Sequence, residues 1–242
     1  MLARHLDRSR AALLPEATTA AAIPPTNRRQ FLKAATAGAG LVIAFTFAGG
    51  NKLARAAGAA VDGVAVPNAF VRIAPDNTVT VLIKHIEFGQ GTFTGLSTLV
   101  AEELDADWAQ MRAEHAPADA TLYNNLHWGP VQGTGGSSSI ANSYQQMREA
   151  GAMARAMLVK AAAEAWGVAP GEIAVSKGVV NHGGSGRQAT FGELAERAAA
   201  VEGPVEVSLK RPDDFALIGK SAPRLDSRAK SQGGAMYRIE KK

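Results

Sequence analysis

The chain contains no cysteine. That excludes a disulfide scaffold, a cysteine-ligated zinc or iron–sulfur centre, and a cysteine nucleophile within it. Histidine is scarce, and His85, His115, His127 and His182 show no H-x-x-x-H spacing. A metal held directly by histidine or cysteine side chains is therefore not expected. There is no G-x-S-x-G, so a hydrolase nucleophile elbow has no basis. Aromatic residues are only 6% of the 242, while Ala and Gly dominate. At 46% hydrophobic and 20% charged, the sequence is neither disordered nor fibrous. The net charge of +4 is unevenly placed. Residues 1–56 carry eight Lys/Arg and two acids, whereas the other 186 carry eighteen bases and twenty acids. The globular part thus offers no electrostatic case for nucleic acid.

What is present begins with a leader. Asn27-Arg28-Arg29-Gln30-Phe31-Leu32-Lys33 precedes seventeen uncharged residues, Ala34 to Gly50. A basic region, an apolar region and small residues make a secretory signal. The paired arginines followed by Phe-Leu-Lys resemble the twin-arginine export motif, with Asn27 where Ser or Thr is usual. Ala54-Arg55-Ala56 offers a small-x-small cleavage site. Residues 1–56 are read as this signal, 57–68 as a linker, and the destination as the periplasm. The twin-arginine route carries folded proteins, so a cofactor loaded before export is expected.

In the remainder, Ala69–Ala74 and Thr78–Phe88 flank Pro75-Asp76-Asn77 and predict a hairpin. Thr92 is a candidate N-cap, and Phe93, Leu96, Leu99, Val100 and Leu104 have helical spacing. Met111–Ala116 is a candidate strand. A helix is expected from Ile140 to Trp166, with Ile140, Tyr144, Met147, Gly151, Ala154, Leu158, Ala161 and Ala165 along one face and Gly167 ending it. Ile173–Val175 and Val179–His182 predict a small hairpin. Thr190-Phe191-Gly192-Glu193 is a capping box opening a short helix, and Val205–Leu209 is expected to be a last strand. Strands and helices mix without regular βαβ alternation, which predicts an α+β fold.

Two glycine-rich segments stand before helices. In Gly133-Thr134-Gly135-Gly136-Ser137-Ser138-Ser139, glycines allow close backbone approach, and the first helical turn leaves N–H groups for an anion. It lacks the P-loop lysine and is not a clean dinucleotide fingerprint. A Gly-rich loop with a serine N-cap is the plain structural alternative. Gly89-Gln90-Gly91 is the second, a strand-to-helix turn from which Gln90 projects two amide donors and an acceptor.

Taken together the motifs resemble a known family. Lys84-His85-Ile86-Glu87-Phe88-Gly89-Gln90-Gly91, followed by Leu99-Val100-Ala101-Glu102-Glu103-Leu104-Asp105, is similar to the first cofactor motif of the molybdopterin-binding subunits of the xanthine dehydrogenase family. Gly133 to Ser139, followed by Arg148-Glu149-Ala150-Gly151-Ala152, resembles the second. Their order behind a twin-arginine leader resembles the isoquinoline 1-oxidoreductase beta-subunit branch, which includes large subunits of membrane-associated aldehyde dehydrogenases. Phe215-Ala216-Leu217-Ile218-Gly219 and Arg224 to Lys230 also resemble that branch.

The resemblance implies a molybdopterin cytosine dinucleotide carrying molybdenum, with few or no direct protein ligands to the metal. Gln90 would be the catalytic contact, donating its amide to a ligand of molybdenum. Gly89, Gln90, Gly91, Thr134, Gly135, Gly136, Ser137, Ser138 and Ser139 would bind the cofactor. The implied reaction is hydroxylation of an aldehyde or N-heteroaromatic substrate with oxygen from water. Electrons would leave through an iron–sulfur small subunit and a cytochrome c subunit, associating the assembly with the inner membrane. Residues 69–210 would be the first molybdopterin-binding domain, and 211–242 a loop leading into an aldehyde oxidase-type (hammerhead) module. The family's subunit is several times longer, and its catalytic Glu lies in a distant Gly-rich motif with no counterpart here. The expectation is therefore an N-terminal part that needs the remaining half of the subunit and does not turn over alone. The competing expectation is a non-enzymatic exported module or remnant that binds a cofactor or nucleotide.

Overall fold

A computed structural model of the chain describes residues 41–48, 51–54, 69–204 and 206–234. The rest of the expected signal, the linker and the tail lie outside the described residues. Among the described residues, two sheets and four α-helices make up the fold, in α+β arrangement. The larger sheet has the order β2-β1-β3-β4-β5, from β1 (Leu41–Ala48), β2 (Asn51–Ala54), β3 (Ala69–Ile73), β4 (Val79–Ile83) and β5 (Met111–His115). All neighbours are antiparallel except β4 and β5, which run parallel with Val81 opposite Ala113. Strand β1 falls inside the uncharged run of the expected signal and pairs with β3.

The β3–β4 hairpin forms where expected, because its turn is satisfied locally. Asp76 Oδ1 accepts from Thr78 N at 2.9 Å, and Asn77 adopts φ 69°. Asparagine tolerates this left-handed region better than most residues. Parallel pairing of β5 requires a crossover, supplied by α1 (Thr92–Leu104). Leu96, Leu99, Val100 and Leu104 on α1 are buried, as their spacing predicts.

The longest helix, α2 (Ser138–Trp166), lies against α1. Met147, Ala154, Leu158 and Ala161 of its expected face are buried, whereas Ile140 and Ala165 at the ends are exposed. Gly151 explains the small-residue face. A Cβ there would lie 2.5 Å from the Val100 carbonyl oxygen. Backbone cannot yield as a flexible side chain can, so the crossing requires glycine. Gly151→Ala should cost about 1–3 kcal/mol despite alanine's better helix propensity. A denaturation midpoint equal to or above wild type would refute the close-crossing account.

The second sheet joins β6 (Ile173–Ser176), β7 (Val179–His182) and β8 (Arg187–Thr190). Lys177 and Gly178 both have positive φ, as a tight hairpin turn demands. The capping box is present: Thr190 Oγ1 accepts from Glu193 N, and Glu193 Oε2 accepts from Thr190 N, opening α3 (Phe191–Ala200). The last expected strand does not form, since residues 206–209 are in no strand. That part of the chain leads to contacts with side chains of α1 instead: Lys210 N donates to Glu103 Oε2. A short α4 (Ser227–Ser231) follows. No helix among the described residues is long and apolar enough to cross a membrane.

Candidate cofactor-binding site

The two glycine-rich segments lie against each other. His85 Nδ1 is 3.2 Å from the Gly133 carbonyl oxygen. A carbonyl only accepts, so Nδ1 carries the proton and Nε2 is left as an acceptor. Asn142 Nδ2 donates to that Nε2 at 3.1 Å, and also to the Ser138 carbonyl at 2.6 Å. Burial and the neighbouring Lys84 hold the His85 pKa below its ordinary value, which favours the neutral ring these bonds need. Next along, Ile86 N donates to Thr134 Oγ1 at 2.8 Å. Asn125, fully buried, closes the group by donating to Ser138 Oγ at 2.8 Å. His85, Asn125 and Asn142 carry this junction; His85 lies within the first motif, whereas nothing in the sequence marks Asn125 or Asn142.

Trp128 covers the second loop. A Cβ at Gly133 would come within 2.5 Å of its indole, and one at Gly135 within 3.0 Å. Here glycine is required by the ring lying on the backbone. Gly89 (φ 118°) and Gly136 (φ 60°) have positive φ, and no atom lies within 4 Å of where a Cβ would stand. That leaves open space beside both loops. Ser137 precedes α2 in left-handed conformation (φ 56°) and makes no side-chain cap, contrary to the serine N-cap alternative. Ser138 Oγ instead donates to the Gly135 carbonyl at 2.7 Å. Among the described residues, the exposed large apolar side chains Ile86, Phe88, Leu126, Trp128, Val131 and Ile140 lie in the segments leading into these loops or in the first turn of α2.

Gln90 is fixed by its own loop. Its Oε1 accepts from Phe88 N at 2.8 Å, and its Nε2 donates to the Ile86 carbonyl at 2.6 Å. An amide nitrogen has two protons, so one remains after these bonds. The neighbouring backbone is less free than glycine suggests. Glu87 Oε1 accepts from Gly89 N at 2.6 Å and Gly91 N at 3.4 Å; Oε2 accepts from Thr92 Oγ1 at 3.3 Å and Phe93 N at 3.2 Å. Thr92 is therefore the first helical residue and not the N-cap, because the Glu87 carboxylate takes the helix start. Burial raises the Glu87 pKa, but Lys230 and these N–H groups outweigh it and hold the carboxyl below its ordinary value. Of the two helix starts, that of α1 is filled by this internal anion. The start of α2 has no side-chain cap and no acidic residue in its first turn.

A second buried carboxylate anchors the chain's last described segment. Glu102, 1% exposed, accepts from Ala216 N (3.0 Å), Leu217 N (2.6 Å), Ile218 N (2.9 Å) and Lys210 Nζ (3.0 Å). Beside it, Arg148 pairs with Glu103 at 2.6 Å and lies over the Tyr144 and Phe215 rings. The two halves of the sequence motifs, Glu102-Glu103 and Arg148, thus meet as a structural clamp. Lys84 completes the inventory: its Nζ is buried without a hydrogen-bond partner, and burial pushes its pKa down to about 8.

Comparison with known proteins identifies this arrangement. The family model of the molybdopterin cofactor-binding domain matches residues 18–232, and the chain belongs to that family. It is 35% identical over 208 residues to the isoquinoline 1-oxidoreductase subunit beta of Brevundimonas diminuta, covering 72% of this chain and 26% of that protein. It is 33% identical over 187 residues to the membrane-bound aldehyde dehydrogenase [pyrroloquinoline-quinone] of Gluconacetobacter polyoxogenes, covering 75% and 23%. Quinoline 2-oxidoreductase from Pseudomonas putida 86 superimposes with a TM-score of 0.40 at 17% identity, covering 70% of this chain and 21% of that one. The chain spans about a quarter of the length of the curated relatives it matches.

Proposed function

We propose that this chain supplies the N-terminal cofactor-binding part of the large subunit of an exported molybdenum hydroxylase. It works with further polypeptide and has no turnover alone. The observation that carries the reading is the convergence of the two motif loops through His85–Gly133 and Ile86–Thr134. The residues fit the group: both loops have open space at a glycine, and the α2 start has no internal anion comparable to Glu87. The Gly135–Ser139 backbone and hydroxyls would hold the cofactor's phosphate end. Gln90, oriented by Ile86 and Phe88, would present its remaining amide proton to the metal centre. When bound, the cofactor, as a cytosine dinucleotide, would supply two-electron oxidation of an aldehyde or N-heteroaromatic carbon, with oxygen from water. An iron–sulfur subunit and a cytochrome c subunit would take the electrons in the periplasm. The exposed apolar side chains around the loops suit a surface covered in a larger assembly.

The test is molybdenum and released cytidine nucleotide per chain, in protein purified from its native host with whatever co-purifies. Both should be present in wild type and fall at least fivefold in Gly136→Val, which puts a β-branched side chain at a positive φ. Gln90→Ala should retain the nucleotide better than the metal. A stably folded chain with neither molybdenum nor nucleotide would instead favour a non-enzymatic module. The same preparation reports on export. A chain cut after Ala56 would lose β1 and β2, reducing the larger sheet to β3-β4-β5.

A further inference from the structure

The segment after the α1 clamp turns back and closes on the Gly89–Gly91 loop. Trp108 Nε1 donates to the Pro223 carbonyl at 3.0 Å, which fixes where the segment lands. Leu225 N donates to Thr94 Oγ1 at 3.2 Å. Arg224 Nη1 donates to the Gly89 carbonyl at 3.1 Å, and its Nη2 lies 3.4 Å from Glu87 Oε1. Lys230 Nζ lies 2.9 Å from the same oxygen. Both cations are held in place by Asp226. Arg224 meets it in a fork, Nε to Oδ1 and Nη2 to Oδ2, each at 3.0 Å, and Lys230 pairs with Oδ2. Forked pairing restricts the guanidinium to one orientation.

The loop needs such restraint. Gly89 and Gly91 sit at φ 118° and 95°, and glycine has no intrinsic bias toward one region of its wide conformational map. Glu87 selects the observed conformation by taking the N–H groups of Gly89, Gly91 and Phe93. Its side chain is only 2% exposed. A carboxylate so buried is costly without counter-charges, and the two cations at its open side come from more than 130 residues downstream.

We propose that Arg224 and Lys230 are positioning residues that latch the Gly89-Gln90-Gly91 loop through Glu87, so that the placement of Gln90 depends on the 223–230 segment. The consequence for the cofactor rests on the function proposed above; the latch itself does not. Gln90 is the residue acted upon, and neither cation need touch a ligand.

Hydrogen exchange on the full chain tests it. In Arg224→Ala/Lys230→Ala, the Gly89, Gly91 and Phe93 amides should exchange at least tenfold faster, while α3 (Phe191–Ala200) keeps its wild-type protection. Lys230→Arg should retain wild-type exchange, since it keeps the charge. In the same preparations, molybdenum per chain should fall at least threefold in the double variant and hold in Lys230→Arg. A merely structural role would raise exchange in the loop and in α3 together, and that result overturns the proposal. So does unchanged loop exchange. Selective loop exchange with full molybdenum retention overturns the positioning role toward the cofactor. A wild-type chain without molybdenum defeats the cofactor reading, and the exchange result alone then decides the latch.

Discussion

Glu102→Ala should release the 210–218 segment from α1 and destabilise the domain by about 3 kcal/mol or more, the usual cost of leaving buried ionic partners uncompensated. Three consecutive N–H groups and the Lys210 ammonium converge on this carboxylate. Burial raises its pKa, but the N–H groups of Ala216, Ile218 and Leu217 and the lysine overcome that and hold it below the ordinary carboxylate value. Removing the side chain strands these donors, and the segment can recover their solvation only by undocking. For a domain of this size the loss corresponds to roughly 6–12 °C in Tm. The accompanying sign is local: proteolysis within 211–220 should accelerate before the core is cut. The exposed Arg72–Glu114 pair is the control. At 2.7 Å it is equally short, but its side chains are 43% and 54% exposed, so Glu114→Ala should cost about 1 kcal/mol or less. Equal losses in the two variants would show that burial is not what gives Glu102 its weight.

The contrast between these carboxylates explains what the sequence disclosed. Elements with local causes were legible. The β3–β4 hairpin follows from alternation and a Pro-Asp-Asn turn, α3 from its capping box, and α1 and α2 from apolar spacing. The errors occurred where local signal was weak or misleading. Strand β8 is Arg-Gln-Ala-Thr, with no apolar run to announce it. Residues 206–209 carry strand-like Val207 and Leu209 but are in no strand. Thr92 had the chemistry of an N-cap, yet Glu87 takes the helix start from five residues upstream. The role of Glu102 and the counter-charges of Glu87 rest on partners more than a hundred residues distant, which neither periodicity nor spacing can show.

The site was legible as two separate loops and not as one place. Alone, Gly89–Gly91 reads as a strand-to-helix turn and Gly133–Ser139 as either an anion-binding loop or a plain Gly-rich one; their fixed order carries the resemblance, which the family match supports. Their junction depends on His85, Asn125 and Asn142, polar residues whose burial no composition argument reveals. The glycines also divide by function in a way the sequence hid. Gly133 and Gly135 make room for Trp128 and Gly151 for the α1 backbone, whereas within the two loop motifs Gly89 and Gly136 combine positive φ with open space. A motif rich in one residue type is thus a set of different solutions, of which a minority concern the ligand.

Lys84→Met should stabilise the chain at neutral pH by on the order of 2–3 kcal/mol, against the usual direction for a buried substitution. Lys84 follows β4 with its amine out of water and unpaired, and burial alone pushes its pKa from 10.5 to about 8. In the unfolded chain the amine holds its proton until about pH 10.4. Below pH 8 both states are protonated, and the folded state bears the full cost of burying the charge. Between pH 8 and 10.5 the unfolded state binds more protons, so stability rises with pH. Methionine preserves the length and apolar stem while removing the charge, so no cavity penalty is incurred. Denaturant unfolding from pH 7 to 10.5 should show wild type gaining relative to Lys84→Met, with the two converging near the alkaline end. A variant less stable than wild type at pH 7, with parallel curves, would mean that the ammonium is compensated in the folded chain. The buried lysine would then be part of a paired site and not a standing cost to the fold.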